Sequence, residues 1–134
     1  MKSVPQAFSG LTPNLVMEIF DVPITFHRSL VRVTGSVTAA LMLSQAIAWT
    51  ETLVPDAQGW FTKSQAEWSE DTGLSRWEQE TARRILRQTS LIEERKWGVP
   101  AKLWFRVRND RIWQALHDLS RRTEYAKSAT APLP

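Results

Sequence analysis

The spacing of apolar and polar positions changes several times along the chain, and each change predicts an element. From 36 to about 52, Val37, Ala40, Leu41, Leu43, Ser44, Ile47 and Ala48 recur at helical spacing. Ala39, Met42, Ala46 and Trp49 make the other side nearly apolar too, so this helix is expected at the centre of the fold. Gly35 breaks the segment before it, and Ser36 can cap the helix. Residues 24–34 alternate only loosely: Phe26, Leu30, Val31 and Val33 fit a strand or a short helix. Residues 55–59, Pro-Asp-Ala-Gln-Gly, have turn chemistry.

Beyond that loop the elements shorten. Trp60, Phe61 and Thr62 predict a short strand. Ser64 and Glu67 have capping-box spacing: the hydroxyl accepts an orphan N–H and the carboxylate reaches back. The helix they open is expected to end at Gly73, with Leu74 as an apolar plug. Ser75 and Glu78 repeat the box and open a helix from 76 to about 88. Its inward stripe is read as the aliphatic part of Glu78, Ala82, Ile85 and Leu86. Its outward side is read as Arg76, Gln79, Glu80, Arg83, Arg84 and Arg87. Residues 91–97 then read as a strand, Gly98-Val99-Pro100 as a tight turn, and 102–108 as a second strand. In that second strand Leu103, Phe105 and Val107 alternate with Lys102, Trp104, Arg106 and Arg108. Asp110 caps a helix from 111 to about 125, striped by Ile112, Trp113, Leu116 and Leu119. The domain is therefore expected over 24–125. An N-terminal arm (1–23) carrying Pro5, Pro13 and Pro23 is expected before it, and a flexible tail (126–134) after it.

Composition narrows the function. At 134 residues, 43% hydrophobic and with 12 Gly plus Pro, the chain suits one modest core and not a disordered or collagen-like polymer. With no cysteine, thiolate chemistry and sulfur-ligated metal are excluded. The longest apolar stretch, 39–49, is interrupted by Ser44 and Gln45 and falls short of the roughly 20 residues that span a bilayer. No secretory signal is expected, no phosphate-binding glycine loop or dinucleotide motif is present, and His27 and His117 have no ligand-spaced partner. The expectation is a cytoplasmic, non-enzymatic protein with no cofactor, no metal and no membrane association.

Charge points to a partner. The net charge is +3, but residues 76–108 alone hold nine basic and four acidic residues. Two short capped helices joined through a glycine and a plug leucine, with a hairpin after them, are the sequence form of a helix-turn-helix with a wing. The expected fold is thus α+β, a mainly helical winged helix-turn-helix with a small antiparallel β-hairpin wing. Such a second helix can present its N-terminus to a major groove of double-stranded DNA. Arg76, Gln79 and Arg83 would then meet base edges or flanking phosphates, Arg84 and Arg87 the backbone, and Arg95, Lys96 and Lys102 phosphate or the minor groove. The plainer reading is a solubilising helical side, with Glu78 and Glu80 pairing with Arg83 and Arg84. Seven tryptophans exceed what so small a core covers easily. Trp77, in the first turn of the second helix, and Trp104, on the outward side of the hairpin, are the candidate protein-contact residues. A homodimer would extend the DNA site.

The same residues carry a resemblance. They run from Ile24-Thr25-Phe26-His27-Arg28 through Gly35-Ser36-Val37 and Ala40 to Gln45, then Gly59-Trp60-Phe61-Thr62-Lys63-Ser64, Thr72-Gly73-Leu74-Ser75, Glu78 to Arg83, and Gly98-Val99-Pro100-Ala101-Lys102. Across residues 24–116 this pattern resembles the winged-helix domain of replication-related proteins of phages, prophages, plasmids and other mobile elements. The resemblance implies binding of origin or template DNA in replication initiation or regulation, with a replication protein as a further partner. The alternative is a protein–protein adaptor that uses a tryptophan-rich surface.

Overall fold

Residues 24–27, with His27 extended, lead into α1 (Arg28–Thr34), which ends at Gly35 in the left-handed region (φ 72°). Of the two readings open for 24–34, the helix is the one formed. Leu30 is buried, with Val31 and Val33 packed beside it, and the helix docks against α2 (Val37–Thr50). Ser36 caps α2 by accepting from the Ala39 amide. Ala39, Ala40, Met42, Leu43 and Ala46 of α2 are all buried, as expected of a central helix. A computed structural model describes residues 12–14 and 23–130, with side chains through Glu124. The arm expected over 1–23 therefore lies almost wholly outside the described residues.

A single 3-10 turn (Pro55–Ala57) leads to β1 (Trp60–Thr62), α3 (Gln65–Thr72), α4 (Arg76–Gln88), β2 (Ile92–Trp97), β3 (Lys102–Val107) and α5 (Asn109–Thr130). The protein is α+β: mainly helical, with a three-stranded antiparallel sheet in the order β1-β3-β2. Register places Phe61 opposite Phe105, and Glu94 opposite Phe105 from the other side. Alternation then assigns Phe61, Ile92, Phe105 and Val107 to the face that carries the core, where all four are buried.

The core joins the sheet to the helices through aromatic rings. Trp68 of α3 meets Phe105 edge-on at 5.6 Å and Phe61 at 6.2 Å, and Phe61 and Phe105 stack at 5.7 Å. Sequence pattern leaves the side of Trp68 open; in the structure it is among the most deeply buried side chains. Lys63 lies beside it, with its ammonium 4.5 Å from the Trp49 ring and 4.8 Å from the Trp68 ring, and paired with Asp71. Burial of this lysine is tolerated because two aromatic faces and a carboxylate surround the charge.

The C-terminal helix corrects the expected boundary. It starts at Asn109 and continues to Thr130, so residues 126–130 are helix and not tail. Between Tyr125 and Thr130 the chain is Ala-Lys-Ser-Ala, with no glycine, and the first proline is Pro132. Nothing in it interrupts the backbone ladder. Residues 131–134 lie outside the described part. Among the described residues no single helix is long and apolar enough to cross a membrane.

Candidate nucleic-acid interface

The corner between α3 and α4 is built by local chemistry. Both capping boxes form: Ser64 Oγ accepts from the Glu67 amide and Ser75 Oγ from the Glu78 amide, while each glutamate accepts from its serine's own amide. Gly73 takes the left-handed conformation (φ 73°) that turns the chain, and Leu74 is buried behind it. Glu78 therefore serves the cap and is exposed; its aliphatic part does not belong to the inward stripe. The backbone and hydroxyl hydrogen bonds from Ser75 hold its carboxyl below the usual glutamate range.

Gln79 is not on the outward side. It is 2% exposed, and its Nε2 donates to the Leu74 carbonyl at 3.0 Å and the Gln65 carbonyl at 3.1 Å. The helical phase explains the difference: Gln79, Ala82 and Leu86 fall at i, i+3 and i+7 and are all buried. Gln79 thus fastens the first turn of α3 and the inter-helix turn to α4, and it is withdrawn from any surface. Gln79→Leu is expected to lower stability by about 1–3 kcal/mol, because two carbonyls lose their donor, and to leave nucleic-acid affinity of the folded protein unchanged. Urea denaturation beside a binding titration checks both parts.

Arg83 is also withdrawn. Its Nε and Nη2 donate to the two Glu94 oxygens at 2.8 and 2.9 Å, its guanidinium lies 6.0 Å from the Phe105 ring, and its side chain is 21% exposed. The Glu94 hydrogen bonds hold the guanidinium firmly in its charged form. Arg87 donates to the same carboxylate at 3.0 Å but remains more open. The helical pairing expected of Glu78 and Glu80 with Arg83 and Arg84 is replaced by Arg76–Glu80, at 3.3 Å, and by this clamp between α4 and β2. The missed signal is Glu94 itself, which alternation puts on the same face as Ile92 and toward α4.

What α4 offers to solvent is Arg76, Trp77, Glu78, Glu80, Arg84, Arg87 and Gln88. Trp77 is 79% exposed and, with Glu80, Thr81, Arg83, Arg84 and Arg87, lines a shallow depression. Arg84 forms no ion pair among the described residues.

The hairpin cations separate. Arg95, Lys96 and Lys102 are all exposed and none is ion-paired with a described residue. Lys96 is in register with Leu103, on the face that holds Glu94 and looks toward α4. Arg95, opposite Trp104, and Lys102, opposite Trp97, lie on the outer face. A set grouped by sequence is thus divided between two sides of the sheet. Arg106 and Arg108, which the sequence pattern alternates with the apolar positions of this strand, are tied to Glu93, Arg106 through both oxygens at 3.0 and 3.1 Å and Arg108 at 2.9 Å. Trp104 is half-buried, and Trp97, 67% exposed, packs edge-on against it at 6.0 Å. Sequence reasoning did not single out Trp97; its cross-strand position opposite Lys102 is the signal that could have found it.

In comparisons with protein-family models, curated proteins and solved structures, nothing matches this chain.

Proposed function

We propose that this is a non-enzymatic winged helix-turn-helix protein that binds double-stranded DNA through α4, acting in the cytoplasm in replication initiation or regulation of a phage, prophage or plasmid element. The observation that carries the reading is the solvent side of α4, where Arg76 stands at the capped start and Arg84 and Arg87 follow along the helix to its last turn, with Lys96 on the same side of the hairpin. Cations on a helix of this length, next to a hairpin, suit phosphates flanking a major groove. The replication role rests on the sequence resemblance alone. A homodimer would give two such helices a two-fold site, and a replication protein is the further partner this role implies.

The test is fluorescence anisotropy with a random-sequence duplex across a salt series, comparing the protein with an Arg76→Ala/Arg84→Ala/Arg87→Ala variant. Arg83 is spared because it makes two of the three hydrogen bonds of the clamp to β2, whereas Arg87 adds one from a more open side chain. The expected result is weaker binding and a salt slope reduced by about 0.9 for each phosphate the variant no longer neutralises. Absence of binding at low micromolar protein and low salt, or an unchanged variant, overturns the reading.

The wide exposure of Trp77 favours a second reading, a protein–protein adaptor. On that reading Trp77→Ala abolishes binding of a protein partner while the arginine variant has no effect.

A further inference from the structure

The geometry points to a second binding surface: the outer face of the sheet takes unpaired nucleotides of a single strand, stacking bases on Trp97 and Trp104 and holding phosphates with Arg95 and Lys102. The surface lies on the other side of the sheet from Lys96 and α4, and it stands or falls independently of the duplex reading.

The register builds it in three rows. Trp60 of β1 faces Arg106 of β3, Trp104 of β3 faces Arg95 of β2, and Trp97 of β2 faces Lys102 of β3. Every row sets an indole beside a cation. In the first row both are engaged: the Arg106 guanidinium lies 4.8 Å over the Trp60 ring and is held by Glu93. That row closes one end of the surface. In the other two rows the cations are exposed and unpaired among the described residues, and the indoles meet edge-on at 61°, which keeps the rings from closing face to face. Aromatic faces alternating with cations are the chemistry that recognises a single strand: any base can stack, and the phosphates between bases meet the charge.

Spacing argues against a duplex here. Rows two residues apart along a strand are separated by roughly 7 Å. One strand of a duplex advances about 3.4 Å per nucleotide with its bases stacked and its faces closed. A strand that tracks these rows must be extended and unstacked. The excess of positive charge on the face argues for phosphate over an apolar protein partner.

The test uses the full chain with fluorescein-labelled oligo-dT and oligo-rU of equal length, and a random duplex in parallel. Trp97→Ala is expected to weaken single-strand binding by about 5- to 150-fold, the effect of losing one stacked base. Trp97→Phe should restore most of it. Arg95→Ala/Lys102→Ala should lower the single-strand salt slope by about 0.7 per cation removed. Arg121→Ala/Arg122→Ala, two exposed cations on α5, is the charge-matched control and should change nothing. Binding to either oligonucleotide with this variant pattern supports the surface, and the tighter one identifies DNA or RNA as the source. No binding to either at low micromolar protein and low salt overturns it, as does binding that Trp97→Ala leaves intact. Equal loss of duplex and single-strand affinity in Trp97→Ala also overturns it, since the face would then be part of one common site.

Discussion

Trp68→Ala is expected to destabilise the protein by about 3–5 kcal/mol, the largest effect expected of any single substitution in the core. A small domain commonly has about 5–15 kcal/mol in total, so the variant should be close to unfolded at physiological temperature. Trp68 is 1% exposed and touches both aromatics on the core face of the sheet, Phe61 and Phe105, so it is the ring through which α3 is attached to the sheet. Truncation removes the transfer energy of the indole and leaves a cavity walled by strands that cannot move inward without breaking their pairing. It also takes one of two aromatic faces from the buried Lys63 ammonium. Trp68→Phe should cost much less, because the Trp68 indole nitrogen has no hydrogen-bond partner among the described residues and only packing is weakened. Urea midpoints for both variants, with the exposed Trp77→Ala as reference, check this. Equal midpoints for Trp68→Ala and Trp77→Ala would show that Trp68 does not hold the core.

What the sequence made legible was local. The two capping boxes, the glycine turn at Gly73 and the alternation of β3 each depend on residues within a few positions of one another, and all appear as expected. The central position of α2 was legible because it is apolar on most sides. Where reading failed, the deciding partner was distant or the phase was ambiguous. Gln79 was misplaced because a polar side chain was assigned outward by type, although its spacing to Ala82 and Leu86 placed it inward. Arg83 was misplaced because its partner, Glu94, arrives only when the hairpin docks on α4. The division of Arg95, Lys96 and Lys102 comes from the period of two in a strand, yet it acquires meaning only once the core-bearing face is known. For 24–34 the choice between helix and strand was made by docking against α2, a tertiary interaction that no local pattern carries.

Glu94→Gln should cost about 3 kcal/mol at neutral pH and flatten the acid limb of the stability curve. Glu94 sits mostly covered between Arg83 and Arg87, and removing one member of a buried ion pair strands its partners. The penalty falls at the low end of the roughly 3–5 kcal/mol for such losses, because Arg87 can turn to solvent and glutamine keeps one acceptor for Arg83. Burial pushes the Glu94 carboxyl up, but hydrogen bonds and charge from Arg83 and then Arg87 outweigh it, and its pKa lies below the ordinary value. A depressed folded pKa sets the sign. The carboxylate's contribution is complete above the unfolded value of about 4.3 and is lost as pH falls through the lower folded value. The parent protein should therefore lose stability on acidification below about pH 4. The variant should lose less over the same interval, retaining the losses from Glu78 and Asp110, whose carboxyls are also held low. Thermal unfolding of the two proteins between about pH 7 and pH 2 measures the difference, and parallel curves would show that the clamp does not stabilise the fold. Because Arg83 and Arg87 join α4 to β2 through this one carboxylate, the variant should also loosen the angle between helix and hairpin. Nucleic-acid affinity at neutral pH should fall even though no cation has been removed.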